Sequence, residues 1–302
     1  MNPLHHRSTL IALIGRGVSP SLTPRMHELE GARHGMRYVY RTVEFDGGAD
    51  PVSELRRLIT AAEAFGFDGL NLTYPVKQTV LPLLQDLSTP ARMVGAVNTV
   101  VWDHGQLIGH NTDVSGFGAS MRDALGEDPL GDVVLLGAGG AGSAVSHALA
   151  MRGAELLTIV DVDLARARQV AEDLQKTHTQ QVAVAPPADV AQLLGRADGL
   201  VNATPIGMAH HPGSPISLEL LHPGLWVCDV VYRPVETQLL TAARAAGCQT
   251  IPGLGMAMHQ AADAFEIFTG ESADRRAMLH DLRVLVEAEN DTPATHRGKV
   301  ER

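Results

Sequence analysis

Short apolar runs recur along the chain, each bounded by turn-forming residues. LIALIG (10–15), GLNLTY (69–74), DVVLLG (132–137), LLTIVD (156–161), GLVNAT (199–204) and WVCDVV (226–231) read as buried strands. Between several of them the apolar positions change to helical spacing. PVSELRRLITAAEAFG (51–66) shows that spacing and stops at Gly66, and AGSAVSHALAMRG (141–153) and DLARARQVAEDLQKT (163–177) repeat it. Continuous apolar strands alternating with amphipathic helices predict an α/β fold, a parallel sheet covered by helices on both faces. LGEDPLGD (125–132) and HHPGSP (210–215) read as loops. The closing NDTPATHRGKVER (290–302) has too little apolar content to pack and is expected to fray.

Composition narrows the picture. A chain of 302 residues, 45% of them hydrophobic, has material for two domains. A formal charge of −10 argues against nucleic acid or an anionic membrane as partner. The two cysteines, Cys228 and Cys248, form neither a CxxC nor a ligand cluster, so neither zinc nor a disulfide framework is expected. His210 and His211 are neighbours in a loop with no completing ligand, and no metal is expected there. TLIALIG (9–15) is short for a signal peptide and leads into RGVSPS. A cytoplasmic protein without membrane spans is the expectation.

VVLLGAGGAGSAV carries the first chemistry. Gly137, Gly139 and Gly142 satisfy G-x-G-x-x-G, after an expected strand and at the start of an expected helix. In this context Gly137 serves a tight turn, Gly139 lets backbone approach a pyrophosphate, and Gly142 lets helix and strand pack closely. Together with Ala138, Gly140 and Ala141 they form a candidate phosphate cradle at a helix N-terminus. Asp161 ends the next strand, where an acid accepts hydrogen bonds from an adenosine ribose. Val162 and Asp163 follow, and the first basic residue is Arg166. A 2′-phosphate would thus meet two negative charges before a positive one, which favours NAD over NADP.

Polar motifs stand at the ends of the other apolar runs: SPSLTPRMH (19–27), NLTYPVK (71–77), GAVNTV (95–100), GHNTDVSGFG (109–118), NAT (202–204) and GLGMAMHQAADAF (253–265). In this order they resemble the shikimate/quinate dehydrogenase family over nearly the whole chain, and most closely its NAD-dependent quinate/shikimate branch. The resemblance implies an N-terminal substrate domain, 1–115 with 255–302 returning to it, and a Rossmann-type NAD-binding domain, 116–254. It implies that Lys77 and Asp113 act on the hydroxyl being oxidised, as a coupled acid/base unit in which the proton is not assigned to one partner. It gives Ser21 and Thr23 the substrate carboxylate, and Thr73, Asn98, Asp113 and Gln260 the ring hydroxyls. Tyr232 falls near substrate and nicotinamide, Asn202, Ala203 and Thr204 along the cofactor, and Gly255 beside it. Ser21 and Thr23 also read as turn or cap residues ahead of a helix near Pro24. NADP-dependent members typically carry NRT where this chain has DVD, so Val162 replaces the phosphate-clamping arginine. Oxidation of the C3 hydroxyl of quinate and shikimate with NAD, in catabolism, is the expected activity. An NADPH-dependent biosynthetic enzyme, a dehydrogenase of an amino analogue, and a non-catalytic dinucleotide sensor are the rivals. A homodimer stays open.

Overall fold

The computed structural model describes residues 8–291. The fraying expected of 290–302 lies outside them, save for two residues that end the last helix.

The first half builds a six-stranded sheet from β1 (Thr9–Gly15), β2 (Tyr38–Glu44), β3 (Gly69–Leu72), β4 (Asp86–Leu87), β5 (Thr99–Asp103) and β6 (Gln106–His110). Its helices are α1 (Thr23–Arg33), α2 (Pro51–Ala64), α3 (Val76–Thr79) and α4 (Thr89–Val94). The strand order is β2-β1-β3-β5-β6-β4. The sheet is mixed, where the apolar runs alone suggested a parallel one: β5 is antiparallel to both β3 and β6. The β5–β6 hairpin turns through His104 and Gly105, with φ of 48° and 78°. Two successive positive φ values match the twist of a tight hairpin.

α5 (Thr112–Leu125) then leads to β7 (Asp132–Leu136), α6 (Gly140–Met151), β8 (Leu156–Val160), α7 (Leu164–Thr177), β9 (Gln181–Ala185), α8 (Val190–Leu194), β10 (Gly199–Asn202), β11 (Trp226–Asp229), α9 (Gln238–Ala245) and β12 (Gln249–Pro252). Every pairing in this sheet is parallel, in the order β12-β11-β10-β7-β8-β9. That is the doubly wound Rossmann order, with its switch point between β7 and β10. Alternation explains the continuous apolar runs. Val133, Leu135, Leu157 and Ile159 enter the core on one face, and Val134, Leu136 and Val160 enter the core on the other. Local chemistry sets the helix starts. Asp50 accepts the Ser53 N–H ahead of Pro51, and Asp163 accepts those of Ala165 and Arg166.

α10 (Leu254–Thr269) and α11 (Arg275–Asp291) close the chain. α10 lies along α5; α5 also touches α6 and β12, while α10 also touches α1 and β5. The two helices therefore join the halves, and residue 116 falls inside α5. No helix of the described residues is long and apolar enough to cross a membrane.

Candidate active site

Lys77 and Asp113 are brought together by separate local structures. After β3 the Thr73 N–H donates to the Ile14 carbonyl, and the Thr73 carbonyl accepts the Val76 N–H. This turn starts α3, which carries Lys77, and the Lys77 carbonyl is held by the Val97 N–H at 2.9 Å. Asp113 sits in the first turn of α5. Asn111 caps that helix, accepting the N–H groups of Asp113 and Val114 and donating to the Ala96 carbonyl. Asn98 grips the neighbouring Thr112, accepting its N–H and donating to its hydroxyl, both at 2.9 Å. Lys77 Nζ donates to Asp113 Oδ2 at 2.6 Å, and the side chains keep 21% and 11% of their exposure. A charged pair that is fixed yet open to solvent can exchange a proton with a bound hydroxyl.

Gln260 reaches this region through one glycine. A Cβ on Gly116, three residues past Asp113, would lie 2.7 Å from the Gln260 backbone nitrogen. Gly116 thus lets α10 approach α5 one turn from Asp113. Gln260 Nε2 donates to the Ala257 carbonyl, one turn back. His259 points elsewhere and ties α10 to α5 through Asp123 at 2.8 Å. Gly255 is spent on packing: a Cβ there would collide with Ser120 of α5. The strand behind Lys77 adds a motif residue to which the sequence reading gave no role. Buried Asn71 accepts the Tyr40 hydroxyl and donates to the Asn98 carbonyl and Thr99 hydroxyl. It heads the NLTYPVK motif and braces Asn98 from behind.

Ser21 and Thr23 lie between β1 and the first turn of α1. The Ser21 hydroxyl accepts the Thr23 N–H at 3.3 Å, so the turn-residue reading holds while both hydroxyls stay partly exposed. Tyr232, after β11, packs on the cluster of Leu22, Met26, Leu254 and Met258. The loops after β1 and β11, from different sheets, therefore meet beside α10. Arg25, next to the first of these loops, is exposed near Glu28.

The glycine loop fits a dinucleotide. Gly137 has φ of 98°, and a Cβ on Gly142 would collide with its carbonyl oxygen. A Cβ on Gly139 or Gly140 would meet open space, and no side chain caps α6. Its first N–H groups are thus free to hold phosphate. Asp161 follows β8 directly. Its Oδ2 accepts the Ala138 N–H at 2.7 Å, and its Oδ1 accepts the Asp163 N–H and the Arg166 guanidinium, both at 2.8 Å. Burial works to raise the Asp161 pKa, but the Arg166 hydrogen bond and the two N–H groups outweigh it and hold it below the usual carboxylate range. This corrects the charge argument from sequence, because Arg166 sits on Asp161 rather than beyond it. Three of the carboxylate's four acceptor positions are engaged, which leaves one on Oδ2 for a ribose hydroxyl. Val162 is 85% exposed at the expected clamp position.

Asn202 ends β10. It is 0% exposed, donates to Asp229 and the Ile206 carbonyl, and accepts the Thr204 N–H and hydroxyl. Its side chain shapes the loop in which Ala203 and Thr204 lie against Gly137. Asp229, also 0% exposed, is pushed up by burial despite bonds from Thr237, Val231 and Asn202.

Residues 13–100 match the shikimate dehydrogenase substrate-binding domain, and 253–283 the shikimate 5′-dehydrogenase C-terminal domain. Residues 133–210 match the saccharopine dehydrogenase NADP-binding domain. The chain is 50% identical over 279 residues to a shikimate dehydrogenase (NADP(+)) of Streptomyces avermitilis, covering 92% of this chain and 96% of the relative. It is 47% identical over 269 residues to a quinate/shikimate dehydrogenase (NAD(+)) of Corynebacterium glutamicum, covering 88% and 95%. The structure of quinate dehydrogenase from Corynebacterium glutamicum in complex with NAD superposes with a TM-score of 0.87 at 44% identity, covering 92% of this chain and 99% of that one.

Proposed function

The chain belongs to the shikimate dehydrogenase family of pyridine-nucleotide oxidoreductases, and from that premise we propose that it oxidises the C3 hydroxyl of quinate and shikimate with NAD. The observation that carries the reading is the 2.6 Å Lys77–Asp113 pair, one helical turn from where Gln260 approaches Gly116, in a fold that also holds an open glycine cradle. Oxidation of a secondary alcohol removes a hydride from carbon and a proton from oxygen. NAD, when bound, supplies the hydride acceptor. Lys77 and Asp113 receive the hydroxyl proton as one unit and return it in the reverse direction. Thr73, Asn98 and Gln260 orient the ring hydroxyls. Ser21 and Thr23 take the carboxylate, with Tyr232 closing that end. Ala203 and Thr204 flank the glycine loop where the nucleotide passes, and Gly255, in the first turn of α10, lies beside it.

The preference for NAD rests on Asp161 and Arg166. With NAD the ion pair stays intact. A 2′-phosphate must either face Asp161 or draw Arg166 away, leaving a carboxylate of 6% exposure without its cation. Breaking a fully buried pair costs about 3–5 kcal/mol, and Arg166, 49% exposed, makes this case milder. Cellular NAD pools are usually oxidised, which supports a catabolic direction. A second reading, NADP-dependent reduction of the 3-dehydro acid, draws on the same half-exposed guanidinium and on the NADP(+) relative. The test is initial-rate formation of reduced cofactor with quinate and shikimate, each against NAD and NADP. Higher kcat/KM with NAD is expected for both acids. A ratio favouring NADP supports the second reading, and no turnover in any combination contradicts both.

A further inference from the structure

The substrate proposed above is an anion, yet Ser21 and Thr23 offer it only neutral hydroxyls. Nearby cations are otherwise engaged or remote. Lys77 pairs with Asp113, Arg16 donates to the Asp46 carbonyl, and Arg25 is exposed near Glu28. Arg233 differs. It follows Tyr232 in the loop after β11, but its side chain leaves that loop. One guanidinium nitrogen donates to the carbonyl of Pro20, the residue before Ser21, at 2.8 Å. The other lies 2.8 and 2.6 Å from the two carboxylate oxygens of Glu289 on α11. Burial raises the pKa of the adjacent Tyr232 phenol, and the charge of Arg233 opposes the rise. The Pro20 contact joins residues 213 positions apart in sequence and loops from the two sheets.

We propose that Arg233 is the positioning residue of the carboxylate end of the substrate site, holding the Ser21 loop against the loop that carries Tyr232 and giving that end its positive charge. Among the described residues it is the cation bonded to the Ser21 loop. The planar fork suits the task, since it spans a carbonyl and a carboxylate at once in a fixed geometry, which an ammonium on a flexible stem does not. Glu289 fixes the fork and partly cancels its charge. The charge therefore attracts the acid without binding it so firmly that product is retained. The proposal rests on the reading of the substrate as a ring-hydroxylated carboxylic acid.

The test uses the full chain and steady-state kinetics with saturating NAD, on shikimate and on its methyl ester. Arg233→Gln is expected to raise KM for the acid at least about tenfold, the size of one lost charge-assisted contact. It should leave kcat within about threefold, because the reacting hydroxyl lies at Lys77, and leave KM for the neutral ester within about twofold. Arg233→Lys should recover part of the acid KM. Glu289→Gln, which keeps Arg233 and removes its counter-charge, should lower the acid KM; it also serves if Arg233→Gln does not fold. Equal effects on acid and ester, an unchanged acid KM in Arg233→Gln, or a raised acid KM in Glu289→Gln would overturn the proposal while the functional reading stands. A wild-type enzyme that turns over neither quinate nor shikimate would remove the reading and the proposal with it.

Discussion

At the scale of single residues, the proposed preference for NAD turns on one carboxylate that does two jobs. Asp161 knots the glycine loop through the Ala138 N–H and holds Arg166 in place. Asp161→Ala should free Arg166 for a 2′-phosphate, and adding Val162→Arg should supply a second cation. The double variant is expected to shift the NAD-to-NADP ratio of kcat/KM by at least about tenfold toward NADP, the worth of one charge-assisted hydrogen bond. Steady-state kinetics with both cofactors checks this. An unchanged ratio would make Asp161 a loop-forming acid only. The sequence made Asp161 legible because strand, glycine loop and acid lie within one βαβ unit. Its bond to Arg166 was not legible, because the first turn of α7 must be built before residue 166 is seen to fold back on 161. The bonds that bury the Asn202 side chain were not legible either, because Asp229 lies on another strand.

At the scale of elements, the site depends on how closely α5 and α10 approach. Gly116→Ala places a methyl 2.7 Å from the Gln260 backbone nitrogen, which cannot swing away as a side-chain tip could. The helices must separate, at a cost of about 1–3 kcal/mol for overpacking. A lowered urea midpoint is expected, together with kcat/KM reduced through the displaced Gln260. Wild-type values for both would contradict the close approach. The second sheet was largely readable, since its central strands are buried on both faces and give unbroken apolar runs. The first sheet was read only in part. β2 lies at an edge, and β4 has only two residues. β5 and β6 form an antiparallel hairpin whose turn, His104–Gly105, is a weaker signal than Asn-Gly. The glycine at 116 was visible inside a helical segment, and only the partner helix explains it.

At the scale of the whole molecule, buried histidines couple folding to pH. Burial lowers the pKa of His27 to about 3 and that of His147 to about 4, from 6.5. The unfolded chain therefore binds protons between these values that the folded chain refuses. Stability contributed by the two histidines is complete above about pH 6.5 and is lost as pH falls toward 4, by up to about 1.4 kcal/mol per pH unit for each. Asp229 acts in the opposite sense. Its raised pKa favours the folded state at low pH, and that contribution is lost as pH rises through the range above 3.8. The urea midpoint should fall from pH 7 to pH 5, and fall less in His147→Gln. Equal midpoints at the two pH values would contradict it. Contacts at this scale, such as Arg233 with Pro20, join distant parts of the chain and leave no local trace in the sequence.

The central claim is that Lys77 and Asp113 together handle the proton of the oxidised hydroxyl. The most direct measurement is kcat for shikimate oxidation in Lys77→Met and in Asp113→Asn, with substrate and NAD saturating. Losses of about a hundredfold to ten-thousandfold in each are predicted, the usual contribution of general acid–base catalysis, with KM for NAD unchanged. Retention of near-wild-type kcat in either variant would contradict the account.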